Sequence, residues 1–163
     1  MKFVVDNMFP AWCNRAAHIF RTVFSERAAV LGINWAEGVI LLKMSMGHNT
    51  LADLTRHIEH SHPSILRHID KLEELGFVER TAHPEDRRVK ILVLTERGQS
   101  AAESLQVMAS SYSLELEERF GHERIKVASE LMRDVVAHYA ENDFLGCPAA
   151  RNDTPKAKET HAE

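Results

Sequence analysis

The hydrophobic period of this sequence changes sharply near its middle, and no other feature constrains the possible fold as strongly. Between Ser61 and Gly76 the apolar residues recur at steps of three and four, which is the pattern of an amphipathic helix. They are Ile65, Leu66, Ile69, Leu72 and Leu75. Directly afterwards, residues 77–81 and 89–94 form two short runs rich in strand-forming residues, with the polar segment 83–88 between them. The sequence therefore predicts a helix followed by one β-hairpin with a charged tip.

Helical periodicity fills most of the remaining chain. Before the hairpin we predict three further helices, at Pro10 to Leu31, Asn34 to Gly47, and Leu51 to about Ile58. After the hairpin we predict a long helix that Thr95 opens and Gly121 ends, and a last helix that runs through Tyr139. Residues 147–163 are polar and lack an apolar stripe, so we predict a disordered tail there. The predicted fold class is mainly α with a small β-hairpin wing.

The bulk composition is that of a globular protein. The 163 residues are 44% hydrophobic and 27% charged, with a formal net charge of −4. Cys13 and Cys147 match no metal-binding spacing, so we expect two reduced thiols, no metal and no cofactor. Because no apolar run is long enough for a signal peptide or a membrane helix, we predict a cytoplasmic protein without membrane contact. The sequence has no Ser-His-Asp arrangement, Gly-rich phosphate loop or HExxH motif, and we expect no enzyme activity.

The order of helix, helix, short helix, helix and hairpin is that of a winged helix-turn-helix. If the apolar stripe after Ser61 packs on the preceding helices, its polar side chains face outward and can enter a major groove about 12 Å wide. These DNA-contact candidates are Ser61, His62, Pro63, Ser64, Arg67, His68 and Lys71. Arg67 can donate two hydrogen bonds to guanine, while Arg87 and Arg88 at the hairpin tip can reach a narrow minor groove. Phosphate contacts are expected from Lys71, Arg80 and Lys90.

Residues 51–98 resemble the MarR family of regulators, and its SlyA branch in particular. The segment LADLTRHIEHSHPSILRHIDKLEELGFVER is similar to the family's helix-turn-helix. The following DRRVKILVLTERG fits the family pattern D-x-R-x5-L-T through Asp86, Arg88, Leu94 and Thr95. This resemblance implies that Arg88 enters the minor groove and that Asp86 holds it in position.

The resemblance also implies a homodimer that binds a palindromic operator on double-stranded DNA and acts as a repressor. Residues 1–32 and 97–146 would then form a helical dimerisation region, and residues 33–96 the DNA-binding domain. The pattern of the flanking helices agrees, since their apolar faces are too rich to leave in water. A twofold dimer would present two recognition helices to half-sites about one DNA turn apart.

Small aromatic carboxylates or phenols are the effectors that the resemblance implies, held between the dimerisation helices and the DNA-binding domain. Candidate effector-binding residues are Trp12, Arg15, His18, Arg21, Asn34, Trp35 and Glu37. The family often has Gln followed by an aromatic residue where this sequence has Glu37 and Gly38. The alternative is that Trp12 and Trp35 belong to the core and that His18 is an ordinary surface residue.

Four features of the sequence leave alternative interpretations open. His57, His60, His62 and His68 could hold a sensory metal, although a turn separates them and no cysteine joins them. His62 and His68 are equally consistent with groove contacts and with simple exposure. Cys13 could sense oxidants, but a buried and inert thiol is the simpler interpretation. Finally, a winged helix can serve as a protein-interaction module without DNA binding, for which a neutral or acidic recognition helix would be the mark.

Overall fold

Six helices and one two-stranded hairpin make up the part of the chain that the computed structural model describes, residues 8–58, 61–82 and 90–141. The helices are α1 (Phe9–Ala28), α2 (Trp35–Ser45), α3 (Leu51–His57), α4 (His62–Glu74), α5 (Glu96–Phe120) and α6 (His122–Glu141), and a short 3-10 helix, Ala29–Leu31, extends α1. The strands are β1 (Val78–Ala82) and β2 (Lys90–Leu94). The predicted fold class, mainly α with a small hairpin, is confirmed.

The helix boundaries follow the capping residues of the sequence. Asn34 and Glu37 form a capping box at the start of α2, because the side chain of each accepts a hydrogen bond from the backbone N–H of the other. The side chains of Thr50 and Thr95 cap α3 and α5. Ser61 occupies the N-cap position of α4 as predicted, but its side chain makes no capping hydrogen bond. Pro63 in the first turn has no N–H to be satisfied, which reduces the need for that bond.

The hairpin is antiparallel and is anchored to the loop between α2 and α3. Its register pairs Val78 with Leu94 and Ala82 with Lys90. A β-bridge also joins Thr50 to Ile91, and the amide of Leu92 donates to the carbonyl of residue 49 at 2.7 Å. These bonds hold strand β2 beside the start of α3. The predicted tip residues Asp86, Arg87 and Arg88 lie outside the described residues.

A continuous apolar core joins α2, α3, α4, the hairpin and the first half of α5. Its largest fully buried side chains include Phe77, Ile40, Leu41, Leu54, Ile65, Ile69, Leu72 and Leu105. Burial of side chains of this size contributes about 1.5–3 kcal/mol each relative to exposure. The predicted stripe of α4 therefore packs inward as the sequence indicated, and this packing sets which face of α4 is turned to solvent.

Apolar side chains outside this core are exposed on α1 and α6. They are Phe9, Trp12, Ile19 and Phe20 on α1, and Val127, Leu131, Met132, Val135, Val136 and Tyr139 on α6. Among the described helices, none is by itself long and apolar enough to cross a membrane. The segments Phe9–Leu31 and Trp35–Ser45 reach the required apolar length only when taken together, and they are bent by 77°.

Candidate nucleic-acid interface

Helix α4 presents a polar face opposite its buried stripe. His62, Pro63 and Arg67 are exposed or half-exposed, and Ser64 is half-buried beside them. All four lie in the first half of the helix, while Ile65 and Ile69 are buried on the other side. An accessible N-terminal half with a guanidinium one turn into the helix has the shape and the donors to read base edges in a major groove.

Two other predicted DNA contacts on α4, His68 and Lys71, face α2 instead of open solvent. The Lys71 Nζ atom donates to Glu37 Oε2 at 2.9 Å, and His68 Nδ1 lies 3.1 Å from Glu37 Oε1. The His68 and Lys71 side chains are 20% and 43% exposed in this position. The sequence pattern of α4 gave no sign of this arrangement, because the carboxylate comes from α2.

Glu37 is the point at which α2 contacts these two basic residues. Its side chain also accepts hydrogen bonds from the backbone N–H and the side-chain amide of Asn34, at 2.7 and 3.0 Å. Burial raises the pKa of Glu37, but the hydrogen bonds from Asn34, Lys71 and His68 and the charge of Lys71 lower it more, so the pKa lies below its ordinary value of 4.5. The group is therefore a carboxylate at neutral pH.

Arg80 on β1, a predicted phosphate contact, is paired with two carboxylates of α4. Its guanidinium contacts Glu73 and lies 2.6 Å from Asp70 Oδ1. Burial lowers the pKa of Arg80, but these two acidic partners raise it further, so it lies above its ordinary value. The pairing reduces the positive charge that Arg80 offers to DNA. Lys90, at the start of β2, is exposed.

The seven predicted effector-binding residues occupy several different settings. Trp12 is 54% exposed on α1 with the Arg15 guanidinium 5.2 Å above its ring. His18 and Arg21 are also exposed on α1. Asn34 and Glu37 form the cap of α2. Trp35 differs from all of these, because it lines an apolar cavity.

This cavity, of about 280 Å³, lies between α1, α2 and α5. It is lined by Phe20, Phe24, Trp35, Leu42, Ala109, Tyr112, Ser113 and Leu116. Phe24 meets Trp35 edge to face with ring centroids 4.9 Å apart, and the Arg27 guanidinium lies 4.8 Å from the centroid of the Tyr112 ring. Sequence reasoning found only Trp35 among these residues. The i, i+4 pairs of Phe20 with Phe24 and of Tyr112 with Leu116 were the available signal.

The histidines and Cys13 form no metal-binding cluster within the described residues. No group of three or more His, Cys, Asp or Glu side chains there has a geometry that could hold a metal ion. His57 stacks on His48 with ring centroids 3.9 Å apart, and its Nδ1 lies 2.8 Å from the Asp53 carbonyl oxygen. Cys13 is half-buried on α1. His60, the fourth histidine of the predicted metal site, lies outside the described residues.

A buried helix-turn-helix with an exposed recognition helix and an adjoining hairpin defines the class of winged-helix proteins. Residues 33–90 match the model of the MarR family. The HTH-type transcriptional regulator PapX of Escherichia coli is 24% identical over 139 residues, which cover 83% of this chain and 85% of PapX. Over its helix-turn-helix and hairpin the chain is therefore similar to the MarR family of transcriptional regulators. The narrower SlyA branch stays a prediction.

Two solved structures show the same fold. The reduced form of MarR from E. coli has a TM-score of 0.70 at 20% identity, covering 83% of this chain and 98% of that chain. The organohalide-sensing regulator RdhR-CbdbA1625 in its 2,4-dichlorophenol-bound form has a TM-score of 0.72 at 14% identity, covering 84% of this chain and 82% of that chain. At these identities the likeness concerns the fold.

Proposed function

We propose that this chain is a homodimeric repressor that binds a palindromic DNA operator with α4 in the major groove. The observation that carries this proposal is the two-sided character of α4. Its apolar stripe is buried, and Arg67 stands exposed on the other side of the helix. A bidentate contact from Arg67 to guanine would supply sequence preference, while Ser61, His62, Pro63 and Ser64 would line the groove beside it.

The hairpin is proposed to supply the second DNA contact. Strand β2 is joined to the residue before α3 by the bridge between Thr50 and Ile91, so the described part of the hairpin lies beside α3. The resemblance of the sequence implies that Arg88 belongs to the tip of this hairpin, with Arg87 next to it and Asp86 as its orienting partner. A cation on a thin β-ribbon suits the narrow minor groove next to the major-groove contact.

Dimerisation is proposed to cover the exposed apolar faces of α1 and α6. Side chains such as Phe9 and Trp12 on α1, and Leu131 and Val136 on α6, lie in water in a single protomer. Exposed apolar helix faces of this kind are typical of a protein–protein interface. A second copy of the chain, related by a twofold axis, would bury these faces and pair the two α4 helices.

The cavity between α1, α2 and α5 is the site we propose for a small aromatic carboxylate or phenol. Its walls are apolar and aromatic, which suits a single substituted ring. Arg27 lies over Tyr112 at this cavity and also bonds Glu115 at 2.9 and 2.5 Å. The RdhR-CbdbA1625 regulator has been solved with 2,4-dichlorophenol bound, and that ligand, a substituted phenol, supports the same chemical class here.

A titration of DNA by fluorescence anisotropy tests the DNA-binding role. Duplexes selected from a random pool by the purified protein serve as the operator, and a random duplex of equal length serves as the reference. We expect binding to the selected duplex that weakens steeply as salt rises. Arg67→Ala should lose about 1–3 kcal/mol of binding free energy on the selected duplex and much less on the random one.

Arg133→Ala is the matched control, because it removes an exposed arginine from the polar face of α6 instead of from α4. Equal losses by Arg67→Ala on both duplexes would identify Arg67 as a phosphate contact. If the wild-type protein selects no duplex even at low salt, the DNA-binding proposal fails and the protein-interaction module is favoured. Addition of salicylate to the wild-type complex tests the effector, and release of the operator is the expected result.

A further inference from the structure

Among the described residues, Glu37 is the only charged side chain that the fold buries, with 1% of the residue exposed. An unpaired carboxylate in such a position would cost several kcal/mol of desolvation free energy. The described contacts offset that cost, since each carboxylate oxygen accepts one hydrogen bond from Asn34 and has one partner on α4. The capping bonds to Asn34 alone would suffice to start α2. The contacts of Glu37 with His68 and Lys71 on α4 therefore indicate that Glu37 has a second role besides capping.

The two partners on α4 determine how that helix is rotated about its own axis. His68 and Lys71 are three residues apart and so lie on the same face, one above the other. Both reach the carboxylate of Glu37, which points that face towards the first turn of α2. Arg67 and Ser64 lie on neighbouring faces of the same helix. A rotation of α4 by even one residue step would break both contacts and turn Arg67 away from its present direction.

We propose that Glu37 is a positioning residue that sets the orientation of the recognition helix through His68 and Lys71. This proposal rests on the proposed DNA-binding function. In it, Lys71 and His68 serve operator binding through Glu37, and their direct contact with DNA is secondary. The buried charge stabilises one orientation because any other orientation leaves the carboxylate without its partners.

The first test compares Glu37→Gln with Glu74→Gln. Both changes remove one negative charge from the DNA-binding region, and Glu74 lies exposed on α4 itself. Binding is measured on the duplex selected by the wild-type protein and on a random duplex, and thermal unfolding confirms that each variant is folded. We expect Glu37→Gln to lose about tenfold in affinity for the selected duplex relative to Glu74→Gln, without a matching loss on the random duplex.

A loss of general structure would weaken both duplexes equally, so the ratio of the two affinities separates positioning from stability. Equal ratios for Glu37→Gln and Glu74→Gln, on an operator that the wild type binds, would overturn this inference alone. If the wild-type protein selects no duplex, the proposed function fails and the inference fails with it. The two failures are thus distinguishable.

A double-mutant cycle with Lys71→Met tests the route from Glu37 to α4. If Glu37 acts through Lys71, the two losses do not add. The double variant then binds the operator no more weakly than whichever of Glu37→Gln and Lys71→Met binds it more weakly. Independent losses that multiply would show that Lys71 contacts the DNA directly, and would overturn the proposal. If Glu37→Gln does not fold, Lys71→Met alone decides, because it keeps the carboxylate with Asn34 and His68. An unchanged affinity ratio in that variant would contradict the proposal.

Discussion

At the scale of single residues, Glu37 is the buried charged group on which the contact between α2 and α4 depends. Its carboxylate is buried, ionised and fully partnered among the described residues, and it joins the start of α2 to α4. Its pKa lies below the ordinary value of 4.5, although burial by itself would raise it. Because the folded state holds the charged form more tightly than the unfolded chain does, Glu37 contributes stability above about pH 4.5. That contribution is lost as the pH falls through the pKa of the folded state.

We therefore predict that Glu37→Gln lowers the free energy of unfolding by about 1–3 kcal/mol at pH 7, where it removes the charge-assisted hydrogen bonds. The difference between wild type and variant should shrink as the pH falls below 4.5, since the wild-type group is then protonated. Urea unfolding at equal protein concentrations measures it at pH 7, 5, 4 and 3. Glu74→Gln, at an exposed site, should differ little from wild type at pH 7. A Glu37→Gln difference that stays constant across this range would contradict the prediction.

At the scale of elements, the hairpin is held against α4 at the point where β2 ends and α5 begins. The Thr95 hydroxyl donates to the Gly76 carbonyl oxygen at 2.7 Å and accepts from the Gly98 amide at 3.0 Å. The Thr95 amide donates to the Phe77 carbonyl oxygen at 3.1 Å. One residue thus caps α5 and ties it to the turn after α4. The first turn of α5 lies very close to the backbone of Phe77, and Gly98 permits this approach because it has no side chain.

Gly98→Ala should be strongly destabilising, because the added Cβ would lie 1.9 Å from the Phe77 carbonyl oxygen. Backbone atoms cannot move aside as a flexible side chain can, so we expect a loss near the upper end of the roughly 1–3 kcal/mol typical of overpacking. Ser100→Ala, at an exposed position in the same turn of α5, is the control and should change stability little. Thermal unfolding of the two variants checks this, and equal midpoints would show that the junction is looser than described.

The elements themselves could be predicted from local sequence, but the contacts between them could not. The stripe of α4, the caps at Asn34 and Thr95 and the change of period after Gly76 are short-range signals, and they predicted the correct fold. The inward rotation of His68 and Lys71 depends on Glu37, more than thirty residues earlier in the chain. The cavity could not be predicted from local sequence either, because its walls come from three helices that only the folded chain brings together.

At the scale of the whole molecule, two proposals require surfaces that a single protomer leaves incomplete. The proposed dimer would cover the apolar faces of α1 and α6, and the proposed release by an effector requires that the cavity and α4 be coupled. The first turn of α2 contacts both regions, since Trp35 lines the cavity and Glu37 holds α4. Trp35 is also fixed to α1 by a hydrogen bond from its amide to the Ser25 hydroxyl at 3.0 Å. In the proposed regulation, this turn would connect a ligand in the cavity to α4.

The dimer is tested by Val135→Glu, which places a carboxylate on the apolar face of α6. A buried, unpaired charge at an interface is costly, so we expect a shift from dimer to monomer and a large loss of operator affinity. Lys126→Glu places a carboxylate on the polar face of α6, with Glu130 and Arg133, and should remain dimeric. Sedimentation velocity reports the mass of each. A Val135→Glu variant with the mass of the wild-type protein would place the interface elsewhere.

The most direct test of the central claim is a hydroxyl-radical footprint of the wild-type protein on its selected duplex. A twofold dimer with one α4 helix in each major groove predicts two protected patches on the same face of the DNA. Their centres should lie about one helical turn apart, roughly 34–36 Å, and the sequence between them should be symmetric. A single patch without symmetry, or no protection at a concentration where the protein is dimeric, would contradict the account.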